Sequence, residues 1–238
     1  EVLNGAEYKP SGVCSHQAWS ETMVLQPVIE GLLGIETDAL KYSLNLSPQI
    51  PADWNTLKVE RIKLGETSVN IEMNRLNGKT IFNFSTNSVK PVNVNFSPAF
   101  ALNTGFGSIK INGKLVTASQ ANNSSANLSF VLNKSAIVEI VHSNGISVLP
   151  HIESPRPNDV SKGFRILHDK IEGNDYIVEV QGISGSKNEM KIYSSSNISG
   201  VENGILISSD GPVYTIGVEF EKSQSKYFNK NIKIKIGF

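Results

Sequence analysis

Apolar and polar positions alternate strictly along much of this sequence. Val69-Asn70-Ile71-Glu72-Met73, Thr80-Ile81-Phe82-Asn83-Phe84, Val92-Asn93-Val94-Asn95-Phe96 and Ile232-Lys233-Ile234-Lys235-Ile236 each place apolar side chains on one face and polar ones on the other. That is the pattern of half-buried antiparallel strands. Asn77-Gly78 and Asn112-Gly113 fall between such runs. They predict two-residue hairpins, in which both central positions take positive φ. Asn144-Gly145 and Asn203-Gly204 read the same way. About fifteen short strands after residue 36 predict a mainly β protein of sandwich architecture. That is too many for one small sandwich, so two are expected, dividing near Ser143. The Asn- and Ser-rich stretch Ser119–Ser129 is either a rival boundary or a long hairpin loop. No further long helix is expected after residue 36.

Before that point the pattern is helical. From Ser15 to Leu33 strict alternation is absent, and Trp19, Met23, Val24, Val28 and Leu32 recur at three- and four-residue steps on one stripe. Ser15 suits an N-cap and Gly34 a terminator. Pro27 falls inside and must kink the helix or remove one hydrogen bond. A lone amphipathic helix needs a partner for its apolar stripe. Either it packs across the first sandwich, or it closes a helical domain whose other helices lie outside this chain.

Composition narrows the function classes. Of 238 residues, 39% are hydrophobic, which excludes a disordered chain, and 22 basic residues balance 22 acidic ones. A net charge of zero gives no electrostatic case for nucleic acid or an anionic membrane surface. A single cysteine excludes an intrachain disulfide framework or thiolate zinc cluster. No apolar run reaches the roughly 18 residues of a membrane span, and no signal peptide is evident. The first residue is Glu1 rather than Met, so the chain is expected to be processed, cut or truncated. Neutral charge and scarce cysteine suit a periplasmic or secreted polysaccharide-degrading enzyme, and are compatible with a cytoplasmic one. No cofactor or metal is indicated.

The densest cluster of chemically capable residues is Glu1 to Glu21, with three carboxylates, His16, Gln17, Trp19 and Tyr8 in one loop and one helix start. Carbohydrate sites use such parts: a carboxylate as acid or base, an aromatic face against a sugar ring, amides and imidazoles for hydroxyls. His16 and Gln17 fall in the first turn, where free N–H groups can orient a substrate hydroxyl. Trp19 is equally suited to the core or to stacking on sugar, and Tyr8 is a candidate pocket residue. Glu7 is a second carboxylate that could act as base, or a solvated loop residue. Cys14 and His16 stand too close in sequence to form a catalytic pair. His151 and Glu153 share one face of an alternating stretch at a metal-ligand spacing, but with no third ligand nearby the strand reading is preferred.

Glu1-Val2-Leu3-Asn4-Gly5, Ser15-His16-Gln17-Ala18-Trp19-Ser20 and Gly31-Leu32-Leu33-Gly34-Ile35 resemble the end of the catalytic domain of bacterial amylo-α-1,6-glucosidase-like glycoside hydrolases. These are six-hairpin (α/α)6-toroid enzymes related to glycogen-debranching proteins. Ser43-Leu44-Asn45-Leu46-Ser47-Pro48 through Pro51-Ala52-Asp53-Trp54, and Pro157 through Ile166, are similar to their C-terminal β region. The resemblance spans most of the chain and is most diagnostic over residues 1–54. It implies residues 1–36 as the end of the toroid, 37–142 as a first β-sandwich and 143–238 as a second. It casts Glu1 as the general base of an inverting mechanism, and the acid partner would come from an earlier hairpin outside this chain. By itself the chain would then be inactive, with the missing N-terminal catalytic segment as its partner and an α-linked glucan or related oligosaccharide as substrate. Two alternatives stand beside this. One is a non-catalytic carbohydrate-binding or adhesion sandwich, which would align exposed aromatics on one sheet face, though Tyr193, Tyr214, Phe220 and Tyr227 form no obvious stripe. The other is the tail of an α-L-rhamnosidase-like enzyme, which Ser15–Ser20 fits less well.

Overall fold

The computed structural model describes residues 3–4, 6–7, 9–10, 18–122, 124–143, 145–152, 156–159 and 163–237. The described chain is mainly β. It divides into two compact units, residues 29–146 and residues 147–238 with 1–28. Two short strands, β1 (Leu3–Asn4) and β2 (Lys9–Pro10), pair antiparallel ahead of the helix.

The helix runs from Ala18 to Gln26 (α1) and continues as a π-helical segment, Pro27–Leu32. The change of pitch begins at the proline. Pro27 has no N–H to return to the preceding turn, so the regular ladder cannot pass through it. Gly34 ends the helix at φ +57, and a Cβ there would lie 2.5 Å from the Ser47 carbonyl oxygen. Met23, Val24 and Val28 of the stripe are not buried. Met23, Val24, Leu25, Val28 and Ile29 are 42–71% exposed. Among the described side chains of the helix, only the final turn is seated: Leu33 is buried, Leu32 packs against the core of unit 29–146, and the Gln49 N–H donates to the Leu32 carbonyl at 2.8 Å.

In unit 29–146, β3 (Ile35–Asp38), β4 (Ser43–Leu46), β8 (Val92–Phe96), β11 (Ser119–Asn122) and β12 (Ser125–Leu132) form a five-stranded sheet, ordered β11-β12-β8-β4-β3. Opposite it, β5 (Thr56–Leu64), β6 (Thr67–Leu76), β7 (Lys79–Thr86), β9 (Gly105–Ile111), β10 (Lys114–Val116) and β13 (Ser135–Ser143) form a six-stranded sheet, ordered β10-β9-β13-β7-β6-β5. Alternation decides which side chains meet between them. Val92, Val94 and Phe96 are buried while Asn93 and Asn95 are exposed. Phe96 meets Phe82 and Phe84 edge-on at 4.8 and 5.2 Å, and Phe84 meets Phe130 at 5.2 Å. Such contacts contribute beyond simple area burial. The sandwich is not wholly antiparallel, because β4 pairs parallel with β8, Leu44 opposite Val94. Ser119–Ser129 belongs to the β11–β12 hairpin of this unit.

The second sandwich joins the sheet β14-β17-β20-β19 to the sheet β15-β16-β21-β18. Its strands are β14 (Ile146–Val148), β15 (Arg165–Glu172), β16 (Asp175–Ile183), β17 (Lys187–Ser194), β18 (Ile198–Glu202), β19 (Ile205–Asp210), β20 (Val213–Glu219) and β21 (Tyr227–Ile236). Tyr176, Val178 and Val180 of β16, Met190 and Ile192 of β17, Ile216 and Val218 of β20, and Ile232 and Ile234 of β21 fill its interior.

The hairpin dipeptides behave differently from one another. Asn112-Gly113 forms the expected tight turn with both φ positive, +51 and +77. At Asn77-Gly78 the strands pair as expected, Leu76 opposite Lys79, yet only Gly78 takes positive φ. Asn203-Gly204 makes no hairpin, since β18 and β19 belong to different sheets. Gly145 leads from β13 to β14, again in different sheets, and Asn144 lies outside the described residues. Beyond residue 34, the described residues form nineteen strands rather than about fifteen, because short edge strands such as β10 and β14 carry too few residues to alternate.

Candidate functional site

Glu1, Tyr8, His16 and Gln17 lie outside the described residues, as do Cys14 and Ser15. Trp19 falls in the first turn of α1, with its side chain likewise outside the description. Glu7 is described: it is exposed, and its carboxylate stands 3.5 Å from the Lys9 ammonium. Such a solvated pair contributes about 0–1 kcal/mol. Among these predicted residues, Glu7 is therefore the one whose side chain has a described environment. His151 lies outside any strand, its ring edge-on to Phe164 at 5.0 Å, and Glu153 lies outside the described residues. Among the described residues no cluster of three His, Cys, Asp or Glu side chains could hold a metal.

Two buried polar groups stand out in the sandwiches. Tyr176 is fully buried, and its hydroxyl donates to Asp169 Oδ2 at 2.7 Å while accepting the Val148 N–H at 2.6 Å. Burial, followed by the adjacent carboxylate, pushes this phenol far above its ordinary range. Thr80, also fully buried, shares a 2.9 Å hydrogen bond with His142 Nε2, and Phe100 packs against the imidazole at 5.0 Å. Burial, with a smaller contribution from Arg75, holds His142 below the usual imidazole value. Both groups tie strands together.

One concave feature of the second sandwich is a trough of about 480 Å³ over the outer face of the β14-β17-β20-β19 sheet. Pairing register explains it. Glu189, Gly217 and Ile205 lie opposite one another on three adjacent strands. Gly217 contributes no side chain, so the floor at the middle strand is low and the Ile207 side chain leans over it. Ile205 and Ile207 stand along one side, 61% and 53% exposed. Glu189 lies on the other side, and the Lys187–Glu219 ion pair (2.6 Å) and His151 complete the lining. None of these residues except His151 is singled out by the sequence pattern. The available signal was Gly217, which interrupts the β-branched and aromatic run Val213–Val218.

The aromatics considered for an adhesion surface do not align. Phe220 is buried, Tyr193 and Tyr214 lie on opposite faces of one sheet, and Tyr227 belongs to the other.

No protein-family model and no curated protein matches the sequence. Among solved structures, the chain is similar to Ara127N-Se, a GH127 β-L-arabinofuranosidase from Geobacillus stearothermophilus T6. That match has 11% identity and a TM-score of 0.30, covering 82% of this chain and 31% of the other. A protein described as a glycoside hydrolase matches with 11% identity and a TM-score of 0.31, over 80% of this chain and 35% of the other. The chain thus spans about a third of the length of these neighbours.

Proposed function

We propose that this chain is the β-rich part of a glycoside hydrolase, in which a helical catalytic region covers the helix Ala18–Leu32. The observation that carries this reading is the uncovered helix: five large apolar side chains between Met23 and Ile29 are 42–71% exposed, while the next turn is fixed into the core of unit 29–146. Leaving those side chains in water forgoes about 25 cal/mol per Å² of apolar surface. Exposed apolar surface of this kind fits an interface. The nature of the covering region follows from the resemblance of residues 1–54 to the end of an (α/α)6 toroid.

On this reading Glu1 activates water as general base, and the acid carboxyl is supplied by the covering region at roughly 6.5–9.5 Å. His16, Gln17, Trp19 and Tyr8 contact the sugar, and the substrate is an α-linked glucan or related oligosaccharide. The sandwich of unit 29–146 anchors the last turn of the helix, and the chemistry is left to the toroid.

Hydrogen exchange on the native protein, with intact masses of every copurifying polypeptide, tests the reading. The amides of Met23–Ile29 should be protected in the native material and exchange freely in the 238-residue chain alone. Met23→Asp with Val28→Asp should remove that protection together with hydrolysis of α-glucan oligosaccharides, and the released sugar should show inverted anomeric configuration. Unprotected helix amides in native material that lacks glycosidase activity would overturn the proposal.

A further inference from the structure

The trough over Gly217 plays no part in the reading above, and its walls carry a chemistry of their own. We infer that it binds a neutral saccharide ring. A Cβ at Gly217 would stand 3.0 Å from Ile207 Cδ1 and 3.4 Å from Ile207 Cγ1, so any side chain there would push Ile207 up into the trough. The glycine lets the Ile207 side chain lie low against the strand, which keeps that wall shallow and the trough open above it. Ile205 and Ile207 offer an apolar wall, and Glu189 faces them across the floor with no hydrogen bond or ion pair among the described residues. A carboxylate only accepts hydrogen bonds, while the Lys187 ammonium nearby only donates and is already shared with Glu219.

These walls select by exclusion. An anion would meet two carboxylates, Glu189 and Glu219, against one ammonium. A purely apolar ligand would strip water from Glu189 without replacing its hydrogen bonds, which costs free energy. A compact cation would lose hydration against the isoleucines. A sugar ring presents a C–H face to Ile205 and Ile207 and hydroxyl donors to Glu189 at its rim. Hydroxyls that also accept can use the Lys187 ammonium. The volume of about 480 Å³ lies within the usual range for small-ligand sites and accommodates a mono- or disaccharide. An open trough with one free carboxylate fits a dissociation constant on the order of 1 mM.

This inference goes beyond the proposed function and needs no catalytic region, so the two can fail separately. The test is an amide chemical-shift titration of the full chain with glucose, arabinose, xylose, galactose, maltose and, as the charged comparison, galacturonate. At least one neutral sugar should give saturable shifts confined to β17, β19 and β20, and galacturonate should bind more weakly. Glu189→Gln should weaken binding about fivefold or more, which corresponds to roughly 1 kcal/mol. Gly217→Val should abolish it, and Ile207→Ser, which leaves the strand backbone untouched, should weaken it if the valine variant fails to fold. Glu172→Gln on the other sheet should change nothing. No saturable shifts with any neutral sugar, tighter binding of galacturonate, or undiminished binding in Glu189→Gln and Ile207→Ser would each overturn the inference.

Discussion

A single methyl group added at Gly182 tests how the second sandwich is packed. Tyr176, Val178 and Val180 point into that core from β16, and Gly182 is the next inward position. No side chain stands there because the Phe220 ring occupies its place. A Cβ at Gly182 would lie 2.2, 2.5 and 2.6 Å from three carbons of that ring. Carbon atoms pack best at about 3.5–4.0 Å, so the ring would have to retreat by about 1.3 Å or more. Phe220 is 4% exposed and meets Phe164 at 6.2 Å, and its own N–H donates to the Ser186 carbonyl at 2.9 Å. Both ring and backbone are therefore held, and Gly182→Ala should cost about 1–3 kcal/mol as overpacking does. Hydrogen exchange of the β16 and β21 amides reads this without assuming that the whole chain melts in one step, since unit 29–146 should keep its protection. Phe220→Ala removes the obstacle. The double variant Gly182→Ala/Phe220→Ala should accordingly be scarcely less stable than Phe220→Ala alone, a coupling expected only of residues in direct contact. Strictly additive penalties, or a Gly182→Ala protein as stable as wild type, would refute the packing argument.

Tyr176→Phe should destabilise the same sandwich by about 1–3 kcal/mol, because it leaves the Val148 N–H and Asp169 Oδ2 without the hydroxyl that both use; chemical denaturation measures this. In unit 29–146 the pH response should follow His142. Its folded-state pKa is depressed, so the unfolded chain takes up the proton first, and stability falls as pH drops through and below about 6.5. His142→Gln, which keeps a hydrogen-bonding group toward Thr80, should flatten that slope between pH 7 and 5 in exchange protection of β7 and β13.

Strand existence was legible in the sequence wherever one face is buried. Val92–Phe96 alternates because water lies on one side of the sheet and phenylalanine on the other, whereas in Thr80–Phe84 the polar Thr80 is buried beside Phe82 and Phe84 and Ile81 lies on the outer face. The same period says nothing about which strand pairs with which. Leu44 and Val94 are neighbours in a parallel pair, yet their runs look no different from those of a hairpin. Turn dipeptides share that limit. Asn203 takes the left-handed conformation its type favours, with φ +63, while the strand that follows pairs in another sheet. A dipeptide sets local dihedral angles, and the burial of the outgoing strand decides where that strand goes. β19 was illegible for a related reason. All six of its residues are exposed at the edge of its sheet, so no burial imposes a period on Ile205-Leu206-Ile207-Ser208-Ser209-Asp210.

The helix and the trough show the same effect in opposite directions. Three- and four-residue spacing marks Met23, Val24 and Val28 as a buried stripe, but Leu25 and Ile29 leave the apolar surface spread around the helix. A helix apolar on several sides is adapted to cover on several sides, more than one sheet face could give it. Its exposure is thus consistent with its sequence once a covering region is allowed for, and this is why the proposed function rests there. The trough left no periodic mark because it is made by a missing side chain. Gly217 costs β20 some strand propensity, and it keeps the floor between Glu189 and Ile205 low, with Ile207 leaning over it. If that space had no use, Gly217→Ala should cost little: only the flexible end of Ile207 stands in the way, and alanine loses less chain entropy on folding. A variant that keeps or gains stability while losing sugar-induced shifts would separate what the glycine does for the sheet from what it does for a ligand.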